Sequence, residues 1–152
     1  MAVQVRGRAR ILVLAAAVPL FVWGALHVAS AQGPREVMAT MVDPSANFIW
    51  RSVSTIVTAE GAKETFPRSD AEWNDLRRAA VRLAAGGTLL KTDRQRAGDR
   101  DWLKWSQAIV DAANTTLRAV DARSRDHVLE AGEEIYNACV GCHGGYYRMA
   151  PP

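Results

Sequence analysis

The sequence predicts an all-α chain folded as an antiparallel four-helix bundle. Three observations lead there. Apolar residues recur at three- and four-residue steps through four successive segments, no stretch shows the two-residue alternation of a half-buried strand, and capping residues, glycines or polar runs separate the segments. At 152 residues the chain holds one domain's worth of sequence.

Residues 1–31 read as a unit apart. They carry the three parts of a secretory signal: Arg6, Arg8 and Arg10, an apolar run from Ile11 to Leu26, and small residues ending in Ala29-Ser30-Ala31 before Gln32. Cleavage after Ala31 is expected, which exports residues 32–152 to the periplasm as a single domain without a membrane span. The alternative is an uncleaved membrane anchor, because a span needs about 20 apolar residues and Ile11 to Ala29 approaches that if His27 is tolerated. Pro19 within the run and the A-x-A ending favour cleavage. No cysteine near residue 31 can take a lipid, and the arginines are not adjacent as a twin-arginine signal requires.

Charge follows the same boundary. The chain has 19 Lys and Arg against 16 Asp and Glu, a formal charge of +3 and a pI near 9.2. Such a balance ordinarily points to nucleic acid or an anionic membrane. Three of those arginines and no acid lie in residues 1–31, so the remainder is formally neutral and nucleic acid is not an expected partner. The 121 residues that remain can bury one core without a disulfide framework. Accordingly there are only two cysteines, Cys139 and Cys142, three apart rather than spread as staples.

The first helix has two readings. Asp43-Pro44 fits an N-cap followed by proline at the first helical position; alternatively the helix begins near Arg35 and is kinked at Pro44. In both, Ile49, Val53, Ile56 and Val57 continue the helical spacing and Gly61 closes it. Ser69 with Glu72 is a capping box opening the second helix, whose face carries Trp73, Leu76, Ala80 and Leu83. Gly86-Gly87 weakens it by about 1 kcal/mol per glycine, so it ends there or continues loosely through Leu90. Residues 91–100 (KTDRQRAGDR) read as a solvated loop. The third helix runs from about Asp101 to Ala122 with Trp102, Trp105, Ile109, Ala112, Thr116 and Val120 on one face. The fourth opens at Ser124 and carries Val128, Gly132, Ile135, Cys139 and Cys142 in the same rhythm.

Chemistry concentrates in Cys139-Val140-Gly141-Cys142-His143, a C-x-x-C-H sequence of the kind that attaches c-type haem. Two thiols at this spacing can add to the two vinyl groups of one haem, and the following histidine falls beneath the iron. On a helix all three side chains address one porphyrin from the same side. The site is therefore expected to hold one covalent haem c, with Cys139 and Cys142 as thioethers and His143 as proximal iron ligand.

Other uses of the motif fit less well. A thioredoxin-like dithiol belongs in a βαβ context near a helix start, not at the end of an all-helical chain. Zinc needs four ligands, and the exported chain adds only His127. That residue lies 16 positions before His143, about 24 Å along a continuous helix. A disulfide between residues three apart closes too small a loop to add much stability.

The motif lies near the C-terminus, with nine residues after His143, so a distal ligand must come from upstream. An exported four-helix chain with C-x-x-C-H and a following Tyr near its end resembles the class II cytochromes c, the cytochrome c-prime family. The resemblance covers most of residues 35–148, and the terminal motif is its specific part. The family ending has Tyr or Phe and then Arg after C-x-x-C-H-x-x. Here His143-Gly144-Gly145-Tyr146-Tyr147-Arg148 matches at Tyr146, while the arginine comes one residue late, so the family arginine's role is not carried to Arg148. Gly144-Gly145 also predicts an early helix end and a more open proximal face.

The resemblance implies either a methionine in the first helix that completes a six-coordinate iron or an apolar residue that leaves the distal side empty. Met41 matches that position by its spacing to Asn47, and Met38 is the runner-up; both could equally be core methionines. Met149 is too close to His143 to reach the opposite haem face. Trp50, Trp73, Trp102 and Trp105 read as core or pocket walls rather than redox relays, and His127 as a surface residue.

The expected function is that of a small exported one-electron carrier, not an enzyme, with redox partner proteins the sequence does not identify. No distal His or Arg is placed to cleave a peroxide. The alternative implied by the resemblance is a five-coordinate haem that binds nitric oxide or carbon monoxide. Relatives in that family often pair, so a homodimer is a further expectation.

Overall fold

The computed structural model describes residues 33–146. The expected signal at residues 1–31 and its anchor alternative, with His27, Tyr147, Arg148 and Met149, lie outside the described residues. The described chain is mostly helical, with one small sheet. Its elements are α1 (Pro34–Val37), a π-helical segment (Met38–Val42), α2 (Asp43–Ser52), β1 (Ser54–Thr58), β2 (Gly61–Thr65), α3 (Asp70–Lys91), a 3₁₀ turn (Arg94–Arg96), α4 (Arg100–Asp121) and α5 (Arg125–Tyr146). Among the described residues no helix is long and apolar enough to cross a membrane.

The first helical run starts at Pro34 and passes through Pro44, which decides between the two readings of this region. Proline has no N–H, and its ring crowds the carbonyl four residues back in a regular α-helix. The π-helical segment widens the turn just ahead of it, with the Asp43 N–H donating to the Met38 carbonyl. The Thr40 carbonyl, which Pro44 cannot satisfy, accepts instead from Arg82 Nη2 of α3 at 2.6 Å.

The run stops at Ser52 rather than at Gly61, a correction to the all-helical reading. Val53 is extended (φ −136°, ψ 112°), and residues 54–65 form an antiparallel hairpin from Ser54↔Thr65 to Thr58↔Gly61. The β-branched run Thr55-Ile56-Val57-Thr58 is poorly suited to a helix and well suited to a strand. Ala59-Glu60 makes the turn, followed by Gly61 at φ +128°, a backbone open only to glycine at little cost. Ile49 and Val53 do join the core, but Ile56 and Val57 are exposed.

α3 opens with the expected capping box: Ser69 Oγ accepts from the Glu72 N–H, and Glu72 Oε2 accepts from the Ser69 N–H at 3.0 Å. It does not end at Gly86-Gly87. A Cβ on Gly86 would stand 2.8 Å from Val42 Cγ2, and one on Gly87 would stand 2.9 Å from Val110 Cγ2 and 3.2 Å from the Ser106 carbonyl. The two bare positions let the π segment and α4 approach α3 from different sides, and that close packing offsets the poor helix propensity.

α4 is capped by Asp99, whose Oδ1 accepts from the Trp102 N–H at 3.0 Å. Trp102 Nε1 donates to the Leu90 carbonyl at 2.7 Å, satisfying an acceptor at the end of α3. α3 packs along α4 and α4 along α5, while α2 touches both α3 and α5. Ile49, Leu76, Leu83, Ile109, Val128 and Ile135 meet at the centre, fully buried, each contributing about 1.5–3 kcal/mol relative to exposure.

Gly87→Ala should lower stability by about 1–3 kcal/mol, because overpacking outweighs the propensity gain of about 1 kcal/mol. Gly144→Ala, with nothing within 4 Å of the added carbon, should be neutral or stabilising. Urea unfolding midpoints of the two variants check this, and a stabilised Gly87→Ala would contradict the packing described.

Candidate functional site

Cys139, Cys142 and His143 occupy the last two turns of α5. Ile135, Ala138 and Cys142 share its buried face; Cys139 is half-buried and His143 is on the exposed side. Both cysteines are free thiols. Burial, as the largest effect, pushes both thiols above their ordinary value, which is opposite to the lowered thiol of a dithiol redox pair.

The position between the cysteines is set by α4. A Cβ on Gly141 would overlap the six-membered ring of Trp105, so the indole rests directly on the backbone of α5. Lys104 Nζ lies 4.4 Å from the Trp105 ring centroid, within cation–π range. On the opposite side Trp50 Nε1 donates to the Gly132 carbonyl at 2.9 Å, tying α2 to α5 two turns before the motif.

α5 continues through Gly144-Gly145 to Tyr146, against the expectation of an early end. Tyr146 is held from outside the helix. Its hydroxyl donates to Asp99 Oδ1 at 2.6 Å, and its ring meets Trp102 edge-on with centroids 5.2 Å apart. The Arg96 guanidinium lies 5.1 Å from the Tyr146 centroid and 5.4 Å from that of Trp102, and pairs with Asp99 at 3.7 Å. Residues 91–100 are therefore not simply a solvated loop: Arg96 and Asp99 join the site. The Asp99 carboxyl is held below its usual range, first by the Tyr146 hydroxyl and then by the Trp102 N–H. The Tyr146 phenol is pushed up to about 12, chiefly by the hydrogen bond to Asp99.

Two cavities flank the motif. One, of about 690 Å³, is lined by Cys142, His143, Tyr146 and Trp102, with Met38, Asp43 and the cations Arg35 and Arg96. The other, of about 480 Å³, is lined by Cys139, His143 and Val140 on α5 and by Met38, Asp43, Val42, Ala46 and Trp50 across from it. Met38, Asp43 and His143 line both. Each cavity falls within the size of small-molecule sites.

Met41 is elsewhere. It lines another cavity, of about 1020 Å³, with Pro44, Phe48, Arg78 and Arg82 between α2 and α3, and no residue of the motif is on its walls. The π turn is the reason. Its i→i+5 bonding changes the helical phase, so residues 38 and 41 do not share a face as they would in an unbroken α-helix. Trp50 and Trp102 wall the cavities and Trp73 is core, as expected. His127 is exposed in the first turn of α5. Among the described residues no group of three or more His, Cys, Asp and Glu side chains is gathered to hold a metal ion. No family model, curated protein or solved structure matches the chain.

The Tyr146–Asp99 bond has a pH signature at each end. A tyrosine in an unfolded chain titrates near 10, so with a folded value of about 12 its contribution is whole below pH 10 and lost as pH rises toward 12. The depressed Asp99 works in the other direction: its contribution is whole above about pH 4 and lost as pH falls through the folded value. The phenol of Tyr146, assigned by difference against Tyr146→Phe, should ionise near pH 12 and move downward in Asp99→Asn. An unmoved titration would contradict the bond.

Proposed function

We propose that this chain is an exported c-type cytochrome, a one-electron carrier whose helices form an antiparallel four-helix bundle around one covalent haem c. The observation that carries the reading is that His143 and Met38 line the same two cavities, on whose walls Cys139 and Cys142 stand. That donor set suits a haem in chemistry: two protonated thiols for thioether links, an imidazole next in sequence, and a thioether on the opposing helix. The walls suit it as well, with Val42, Ala46, Trp50 and Trp102 apolar and the Arg35 and Arg96 side chains on the wall of the larger cavity, where they would face an anionic group.

When bound, haem supplies the ferric–ferrous couple that takes up and releases one electron. The protein's share is to hold and shield it. Cys139 and Cys142 would anchor the group to α5, and His143 and Met38 would be the side chains that donate to its iron. Trp50 and Trp102 exclude water, and Trp105 on Gly141 keeps the motif turn from shifting. Engagement of both donors would leave the iron no free position for substrate, and that would favour electron transfer over gas binding or catalysis. Val140 and Tyr136 are exposed where the smaller cavity meets solvent, giving a redox partner a small apolar edge of the kind transient encounters use. Periplasmic location follows from the signal at residues 1–31.

The visible spectrum of purified protein in both redox states tests this. A ferric sulfur-to-iron band near the red end, with a reduced form indifferent to carbon monoxide, is expected; the band should vanish in Met38→Ala and persist in Met41→Ala. A high-spin ferric spectrum with rapid carbon monoxide binding would instead favour a five-coordinate gas-binding haem. Loss of the band only in Met41→Ala would return the axial role to that residue.

A further inference from the structure

Asp43 is shared by the two cavities beside the motif. It lines both, together with Met38 and His143, and it is the one carboxylate among the described residues on their walls. The residue lies inside the first helical run rather than at its start. Its N–H donates to the Met38 carbonyl across the π turn, which sets residue 43 one turn beyond Met38. Its carboxylate accepts from Asn47 Nδ2 at 3.0 Å, a neutral donor that leaves the negative charge uncancelled. That charge is felt across the cavity: the Cys139 thiol on α5 is pushed up first by burial, then by Cys142 and by Asp43.

Building on the proposed function, we propose that Asp43 sets the reduction potential of the bound haem: its carboxylate favours the ferric over the ferrous state and holds the potential down. Loss of an electron leaves the iron with one more positive charge. A carboxylate on the wall of the same cavity stabilises that charge, and more so where the surroundings are less polar.

Val42, Ala46 and Trp50 supply such surroundings in the smaller cavity. In the larger one Arg35 and Arg96 act in the opposite sense, but Arg96 is itself set against Asp99 at 3.7 Å, so its charge is already partly balanced. Burial and the groups around the axial donors are among the levers by which a protein tunes a haem. Because Asp43 is exposed, its effect is screened by salt and depends on ionic strength.

Spectroelectrochemical titration of the purified holoprotein, in low and in high salt, tests this. Asp43→Asn, which keeps an acceptor for Asn47, should raise the midpoint potential at low salt by up to about tenfold in the ferric–ferrous equilibrium constant, or about 59 mV. The difference from wild type should shrink near 1 M salt, where charges are screened beyond about 3 Å. Asp43→Glu, which restores the charge, should return the potential toward that of the wild type. Glu130→Gln removes the same charge from an exposed position thirteen residues before His143, about 20 Å along α5, and should leave the potential unchanged.

A potential that stays put in Asp43→Asn, or that moves equally in Glu130→Gln, would overturn the inference. So would loss of the sulfur-to-iron band in Asp43→Asn, because the residue would then act through the position of Met38 and not through its charge. In each of these outcomes the wild type still carries haem; a wild type without it would overturn the proposed function as well, which keeps the two failures apart.

Discussion

The motif-bearing turn of α5 is pinned by the indole of Trp105, which occupies the space a side chain at residue 141 would need. Around that contact the other restraints on the same turn are arranged. Trp50 holds the Gly132 carbonyl from the α2 side, and Tyr146 is drawn to Asp99 and Trp102 at the start of α4. A C-x-x-C-H sequence can operate only if its three side chains keep a common orientation, and a helix end with two glycines would ordinarily fray. Here the last turn is held by neighbours on α4 and α2 rather than by its own propensity.

Close approach without side chains recurs at the other end of the same logic. Gly86 and Gly87 admit Val42 and Val110 against α3, and the first of these contacts draws the Val42 end of the π segment into the core. Pro44 forces that segment to widen, and Arg82 satisfies the carbonyl left over. The widened turn sets which methionine faces α5. A proline that looks like a simple helix boundary thus reaches the site through the phase of the helix before it.

Much of this was legible in the residues, unevenly and for physical reasons. α3, α4 and α5 announce themselves by three- and four-residue apolar spacing and by the Ser69–Glu72 box, and Cys139, Cys142 and His143 stand out by spacing alone. The hairpin did not, because Ile49, Val53, Ile56 and Val57 fit a helical period while the β-branched run before Gly61 fits a strand, and only the latter signal distinguishes them. Gly144-Gly145 misled in the opposite way: local propensity points to a helix end, and the tertiary hold on Tyr146 overrides it. Arg96 and Asp99 were hidden in a charged loop, although Asp99 three residues before Trp102 is a cap signal. The separation of Met38 from Met41 depends on a π turn, which no periodicity argument anticipates.

The proposed function requires haem linked covalently to Cys139 and Cys142, and the intact mass of the purified protein under denaturing conditions measures this most directly. It predicts a chain carrying the mass of one haem that acid acetone does not extract, with no thiol open to alkylation. A haem-free mass with both thiols alkylated, from cells shown to mature other c-type cytochromes, would contradict it.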